Sequence, residues 1–237
     1  MQHTLKTAGF SKQVIGVSGG VDSAVSAALA VDAMGKENIY PVLLPYGKNS
    51  SEAVEDAKLV IKALKIPKEN VSIIDIQEAV DVIVKEESEL RTGNIMARVR
   101  MIYLFDLAKK LSALVCGTEN RTEHYLGYFT RFGDGASDVE PILGLYKTQV
   151  WDMAKHLKLP SKIIKKTPTA GLWHGQTDEG ELGFSYKDAD TVLYYYVDKN
   201  LSLEEIIKKG IDEKIVIKVL ERVKQNEFKH TLPHIYS

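Results

Sequence analysis

VIGVSGGVDSAVSAALAV, residues 14–31, joins an apolar β-like run to an alanine-rich segment through Ser-Gly-Gly-Val-Asp-Ser. The pattern predicts a buried strand over Val14–Ser18 and a helix over Ser23–Ala33, with a tight loop at the handover. Gly19 and Gly20 leave backbone N–H groups unobstructed, and the following helix adds its free amides and positive dipole end. Ser18 and Ser23 can donate hydroxyl hydrogen bonds to phosphate oxygens. Asp22 would repel a bare phosphate, so its presence beside such a nest points to a divalent cation between them. The string lacks G-x-x-x-x-G-K-[ST], which excludes the ordinary kinase or GTPase loop.

Outward from this loop the first half of the chain alternates. Strands are expected at 39–44, 71–76 and 113–117, and helices at 52–64 and 95–111. Strands alternating with amphipathic helices favour an α/β fold, a parallel sheet with helices on both faces, whose post-strand loops gather at one edge to bind ligands. The 95–111 helix carries Ile95, Met96, Val99, Met101, Ile102, Tyr103, Leu104, Phe105 and Leu107 and has little polar face. It is read either as a central core helix or as one covered by a second subunit. From Gly133 to Gly183 the chain is loop-rich around one helix at 147–157, as expected of an active-site cover or a disordered segment. The C-terminal part returns to helices, with a capping box at Ser202–Glu205 and Gly210 placed to end that helix.

With 31 basic and 32 acidic residues, the chain has no global field to attract nucleic acid or a membrane. The one cysteine, Cys116, excludes an internal disulfide framework and fits a reducing cytoplasm. No signal-type or membrane-spanning apolar run is present, so a soluble cytoplasmic protein of one domain, 1–237, is expected. Cys116 lies in an apolar strand without an activating histidine and reads as a buried structural thiol. His124 and His174 read as loop or surface residues, and Trp173 as packing beneath its loop.

SGGVDS resembles the SGGxDS pyrophosphate loop of the N-type ATP pyrophosphatases, whose members cleave ATP between its α and β phosphates. Four further stretches narrow the resemblance: GNIMARVRM (93–101), GTENRTEHYLGYFTRFGDGASDVEPILGLYKTQV (117–150), TPTAGLW (167–173) and GQTDEGELGFSY (175–186). In order and spacing these resemble motifs of the NH3-dependent NAD synthetases, and the match spans residues 14–186. The resemblance implies the adenine nucleotide alpha hydrolase-like fold with a helical C-terminal part.

Residue by residue, the resemblance places ATP on Gly16, Val17, Ser18, Gly19, Gly20, Val21, Asp22 and Ser23, with Thr118, Lys147 and Thr169. It places Mg²⁺ on Asp22 and Glu123, and deamido-NAD on Arg98, Arg131, Asp138 and Lys229. Asp22, Glu123 and Lys147 are the implied catalytic residues, Lys147 supplying a point charge where pyrophosphate leaves. The chain departs from the family pattern at Arg131, often lysine, and at Phe228-Lys229-His230, often His-Lys. Ser50 or Ser51 is expected to help bind adenosine. Arg98 could instead pair with a nearby acid, and Arg131 with Asp138.

The implied activity is a ligase reaction of NAD biosynthesis. The nicotinate carboxylate of deamido-NAD attacks the α-phosphorus of ATP, pyrophosphate leaves, and ammonia displaces AMP to give NAD. Glutamine use would need an activated nucleophile, and Cys116 is a poor one. A homodimer is implied as well, and loops around 167–185 are expected to close over the site. Competing readings are another adenylating amidotransferase, a tRNA thiolase, and a nucleotide-binding regulatory module without catalysis.

Overall fold

Val14 and Ile15 are fully buried because the first strand lies in the middle of the sheet, with a neighbour on each edge. The computed structural model describes residues 2–47, 50–85, 88–173, 175–231 and 233; His174 lies outside them. A short helix α1 (Gln2–Thr7), anchored by buried Leu5, precedes β1 (Gln13–Gly16). There follow α2 (Val21–Met34), β2 (Ile39–Leu43), α3 (Ser51–Ala63), β3 (Ser72–Ile73), α4 (Gln77–Ile83), α5 (Glu89–Leu111) and β4 (Leu114–Cys116). The second half contributes α6 (Arg121–Leu126), α7 (Lys147–His156), α8 (Ser161–Lys165) and α9 (Asp178–Leu182), then α10 (Tyr186–Leu193), α11 (Leu203–Ile207) and α12 (Glu213–Asn226).

All strand pairs are parallel and the order is β3-β2-β1-β4. After β1 the chain builds outward through β2 and β3, then returns to place β4 against the other edge of β1. The order therefore reverses between β1 and β4, and their C-terminal ends flank the crevice in which such sheets take ligands. Residues 138–139 extend the sheet beside β4, with Val139 bridging Cys116.

Apolar side chains of α2, α3, α7 and α8 cover one face in a shared core with Ile15, Ile39 and Leu43. On the other face Leu104, Leu107 and Ala108 of α5 pack on Val14, Val42 and Val115. A separate cluster gathers Leu126, Tyr186, Val192, Leu193, Ile206, Val216 and Val219 from the C-terminal helices, and Trp151 packs against both the first core and this one.

Two boundaries differ most from the sequence expectation. β3 is an edge strand of two residues, though Ile74 N–H and Ile76 N–H still bond to Leu43 and Pro45 carbonyls. α5 begins six residues earlier than its apolar run, because Ser88 caps it and accepts from Arg91 N–H. Along α5, Met96, Ala97, Val99 and Ala108 are buried, whereas Ile102 is 58% exposed between the exposed Arg98 and Asp106. The capping box at Ser202–Glu205 is present, and Gly210, at φ +87°, follows α11. No helix among the described residues is long and apolar enough to cross a membrane.

Gly127 ends α6 at φ +60°, and a Cβ there would overlap Asn226 of α12. Gly210 is equally left-handed but has no atom within 4 Å of such a Cβ. Gly210→Ala should therefore cost about 1–2 kcal/mol from backbone strain alone. Gly127→Ala should cost about 1–3 kcal/mol more, because α6 and α12 must move apart. Urea unfolding of the two variants checks the order; equal losses would refute the packing role of Gly127.

Candidate active site

The loop after β1 owes its shape to its two serines and one left-handed glycine. Ser18 N–H donates to Ser23 Oγ at 3.2 Å, Gly20 N–H donates to Ser18 Oγ at 3.2 Å, and Ser23 Oγ–H donates to Gly20 O at 3.1 Å. Gly19 has φ +80°, and a Cβ there would lie 2.6 Å from the Ala53 carbonyl oxygen and 2.8 Å from Asp56 Cβ. Only glycine meets both demands, so the loop lies directly on α3.

Asp22, in the first turn of α2, faces Lys147, the first residue of α7. Lys147 Nζ donates to Asp22 Oδ2 at 2.6 Å and to Glu123 Oε1 at 3.1 Å, with its side chain only 2% exposed. Asn120 caps α6 through a capping box with Glu123 and donates its Nδ2–H to Asp22 Oδ1 at 2.9 Å. The Tyr186 ring lies 4.8 Å from the ammonium, and its hydroxyl donates to Asp178 Oδ2 at 2.8 Å. Below, Thr122 Oγ1 accepts from Lys147 N–H and donates to Asp190, whose other oxygen accepts from Thr148 N–H. Burial works against the Lys147 charge, but Asp22 and Glu123 outweigh it and hold the pKa above that of a free lysine. Burial pushes Glu123 up; Lys147 opposes this, and the charges of Asp22 and Asp178 add to it.

The cluster opens into a cavity of about 530 Å³. Its wall includes Gly16, Val17, Ser18, Gly20, Val21, Asp22, Ser23, Thr118, Glu123, Lys147, Thr169 and Lys229 of the residues singled out from sequence. Ser50 lines it as well, while Ser51 is an exposed residue of α3. Residues 166–173 form another wall. Leu172 rests where a Cβ of Gly93 would be, 2.8 Å from Leu172 Cδ1, and its N–H donates to Gln176 Oε1 at 2.9 Å. The glycine of GNIMARVRM thus admits this loop onto α5. Lys229 reaches back from the C-terminal turn and donates to Gly127 and Phe129 carbonyls.

Three of the singled-out residues lie elsewhere in this chain. Arg98 is exposed on α5, its Nη1–H directed at Asn94 O. Asp138 accepts from Val115 N–H at 2.7 Å and so fixes the edge of β4. Arg131 lies against the rings of Phe132 and Phe228, with its Nε buried and unpartnered. Residues missed from sequence include Arg100, which lines the cavity and donates from Nε to Leu44 O at 3.1 Å. Two positions along a helix turn about 200°, so Arg98 and Arg100 point to opposite sides. Asn120 was findable as the start of an N-x-x-E capping box. His124 lies on α6, not a loop, with Nδ1 3.0 Å from Glu119 Oε1, and Trp173 lines the cavity. Cys116 is a buried free thiol, held up by burial.

Residues 1–233 match the family model described as NAD synthase. The chain is 45% identical over 235 residues to an NH(3)-dependent NAD(+) synthetase of Fusobacterium nucleatum, covering 99% of this chain and 91% of that one. It is 49% identical over 226 residues to one of Pyrococcus horikoshii, covering 93% and 86%. An NH3-dependent NAD synthetase of Campylobacter jejuni in complex with the nitrate ion superposes with a TM-score of 0.83 at 31% identity, covering 100% and 94%. An NMN synthetase from Francisella tularensis superposes with a TM-score of 0.86 at 33% identity, covering 100% and 93%.

The loop after β4 supplies a pH prediction. The Glu140 carboxyl fills the space that a Cβ at Gly117 would take, so a side chain there would push that carboxyl aside. Burial pushes that carboxyl up to about 7; the hydrogen bond from Ser137 opposes this and the Glu119 charge adds to it. A carboxyl with its folded pKa above the unfolded value contributes stability below that unfolded value and loses it as pH rises through the folded one. Between pH 5 and 8 the wild type should lose about 2–3 kcal/mol relative to Glu140→Gln, which keeps the acceptor oxygen. Parallel unfolding free energies across that range would contradict this.

Proposed function

The chain belongs to the NAD synthase family, and from that premise we propose how its residues carry out the ATP-dependent amidation of deamido-NAD with ammonia, the last step of NAD biosynthesis. The reading rests above all on the buried Asp22–Lys147–Glu123 cluster beside a glycine loop at the sheet's switch point. The ATP phosphates lie on the loop 16–23, where backbone amides and the N-terminal end of α2 favour negative charge. Thr118, Thr169 and Ser50 line the same cavity and complete the nucleotide site.

Mg²⁺ fits the donor set. Two carboxylates from different helices converge on one ammonium, a hard oxygen pair beside a phosphate nest. Among the described residues no cluster of three His, Cys, Asp or Glu could hold a metal unaided, so the substrate's own oxygens would complete its shell. Asp22 and Glu123 would hold the ion, which when bound neutralises charge on the phosphates.

Lys147 keeps its proton through the neutral range and acts as a fixed positive charge on the departing pyrophosphate, without proton transfer. Attack on the α-phosphorus is then a matter of alignment, and the nicotinate carboxylate becomes an adenylate. Residues 167–173, resting on Gly93, keep water from that adenylate until ammonia arrives. Lys229, in the cavity wall, takes the dinucleotide; the family resemblance adds Arg98, Arg131 and Asp138, none of which lines the cavity within one chain. Arg98 lies on the same long helix as exposed Ile102, so the second cover of α5 is a second copy of this chain. The functional unit is a single domain, 1–237, working as a cytoplasmic homodimer.

Two measurements test this reading. AMP and pyrophosphate should form from ATP, Mg²⁺ and deamido-NAD with ammonium and not with glutamine, and nicotinate mononucleotide should be the poorer acceptor. Lys147→Met should lower kcat by about 10²–10³-fold, and Lys147→Arg should not restore it, since a planar fork replaces a point charge. ATP left intact in every combination would refute the activity, and near-normal Lys147→Met turnover would refute the role of Lys147. In sedimentation velocity Ile102→Lys should shift the protein to monomer; an unchanged coefficient would refute the dimer face.

A further inference from the structure

Asp56 of α3 is 1% exposed and lies beneath the phosphate loop, its Cβ 2.8 Å from where a Gly19 Cβ would be. Its carboxylate meets two lysines, one on each oxygen. Lys166 Nζ donates to Oδ2 at 2.6 Å, and Lys162 Nζ lies 2.6 Å from Oδ1. The two differ in setting. Lys162 is 55% exposed and also lies 3.7 Å from the exposed Glu52, whereas Lys166 is 26% exposed and lines the cavity with Ser18, Gly20 and Asp22.

A buried carboxylate stripped of its only partner is strongly destabilising, because an uncompensated charge is left behind. Here that cost does not arise when Lys166 leaves, because Lys162 still pairs Asp56 from the solvent side. Lys166 is thus held beside the phosphate loop by a partner that can release it. It directly precedes Thr167, Pro168 and Thr169, which form the cavity wall.

We propose that Lys166 is a second pyrophosphate-binding lysine, transferring from Asp56 to the β and γ phosphates when ATP binds. This rests on the ATP-dependent reading above. Asp56 is the positioning residue, and Lys162 is its standing counter-charge.

The test is calorimetric titration of magnesium pyrophosphate into the wild type, Lys166→Met, Lys166→Arg and Asp56→Asn, with steady-state kinetics alongside. Lys166→Met should weaken pyrophosphate binding by about 10- to 100-fold and raise the KM for ATP while leaving that for deamido-NAD nearly unchanged. Lys166→Arg should recover much of the loss. Asp56→Asn should bind pyrophosphate within about threefold of wild type, since it frees the lysine; threefold is under 1 kcal/mol. Wild-type affinity in Lys166→Met would overturn the proposal. So would an Asp56→Asn loss as large as that of Lys166→Met, which would mark the pair as a structural tie. Wild-type enzyme that forms no AMP would instead strike the functional reading itself.

Discussion

The Lys147 ammonium, buried between Asp22 and Glu123, is the interaction on which the rest of the arrangement depends. It joins the first turns of α2 and α7 to α6, and so ties the loop after β1 to the second half of the chain. Burying three charges together is unfavourable unless each remaining lone pair and proton is met. Asn120 meets Asp22 from its side-chain amide and Glu123 from its N–H, and the Tyr186 ring faces the ammonium, while Thr122 and Asp190 hold the backbone N–H groups of Lys147 and Thr148 beneath. The same grouping explains why the C-terminal helices form their own core. They must bring Tyr186 and Asp190 under Lys147 from the side opposite the sheet.

Much of this was legible in the sequence, for identifiable reasons. The β1-loop-α2 unit is local: an apolar run, two glycines and an alanine-rich helix follow one another within twenty residues, so pattern and structure coincide. The parallel sheet followed from alternation, and the chain shows it, with helices on both faces. The start of α5 was hidden because Gly93 and Asn94 read as loop residues. Gly93 sits inside the helix to admit Leu172, a partner that spacing cannot reveal. The third strand was overextended because its residues alternate like a strand but pair only at an edge.

Site residues divide along the same line. Gly16 to Ser23 read from a local pattern, whereas Thr118, Glu123 and Lys147 came through the family resemblance; all of these but Gly19 line one cavity. Arg98 and Arg100 are indistinguishable in an apolar helix until the helix is seated, and seating it sends Arg100 inward. The Asp56–Lys166 pair spans 110 residues and two helices of unremarkable composition, so no motif announces it. Physical reading of a sequence finds chemistry carried by neighbours. It misses chemistry assembled across the fold.

Activation in this crevice depends on a carboxylate being directed onto the α-phosphorus while the fixed cations draw away pyrophosphate. Turnover of deamido-NAD labelled with ¹⁸O in both carboxylate oxygens, followed by mass spectrometry of the products, tests it most directly. One labelled oxygen should appear in AMP, one should be retained in the amide of NAD, and none should appear in pyrophosphate. Unlabelled AMP formed at the full rate of NAD synthesis would contradict it.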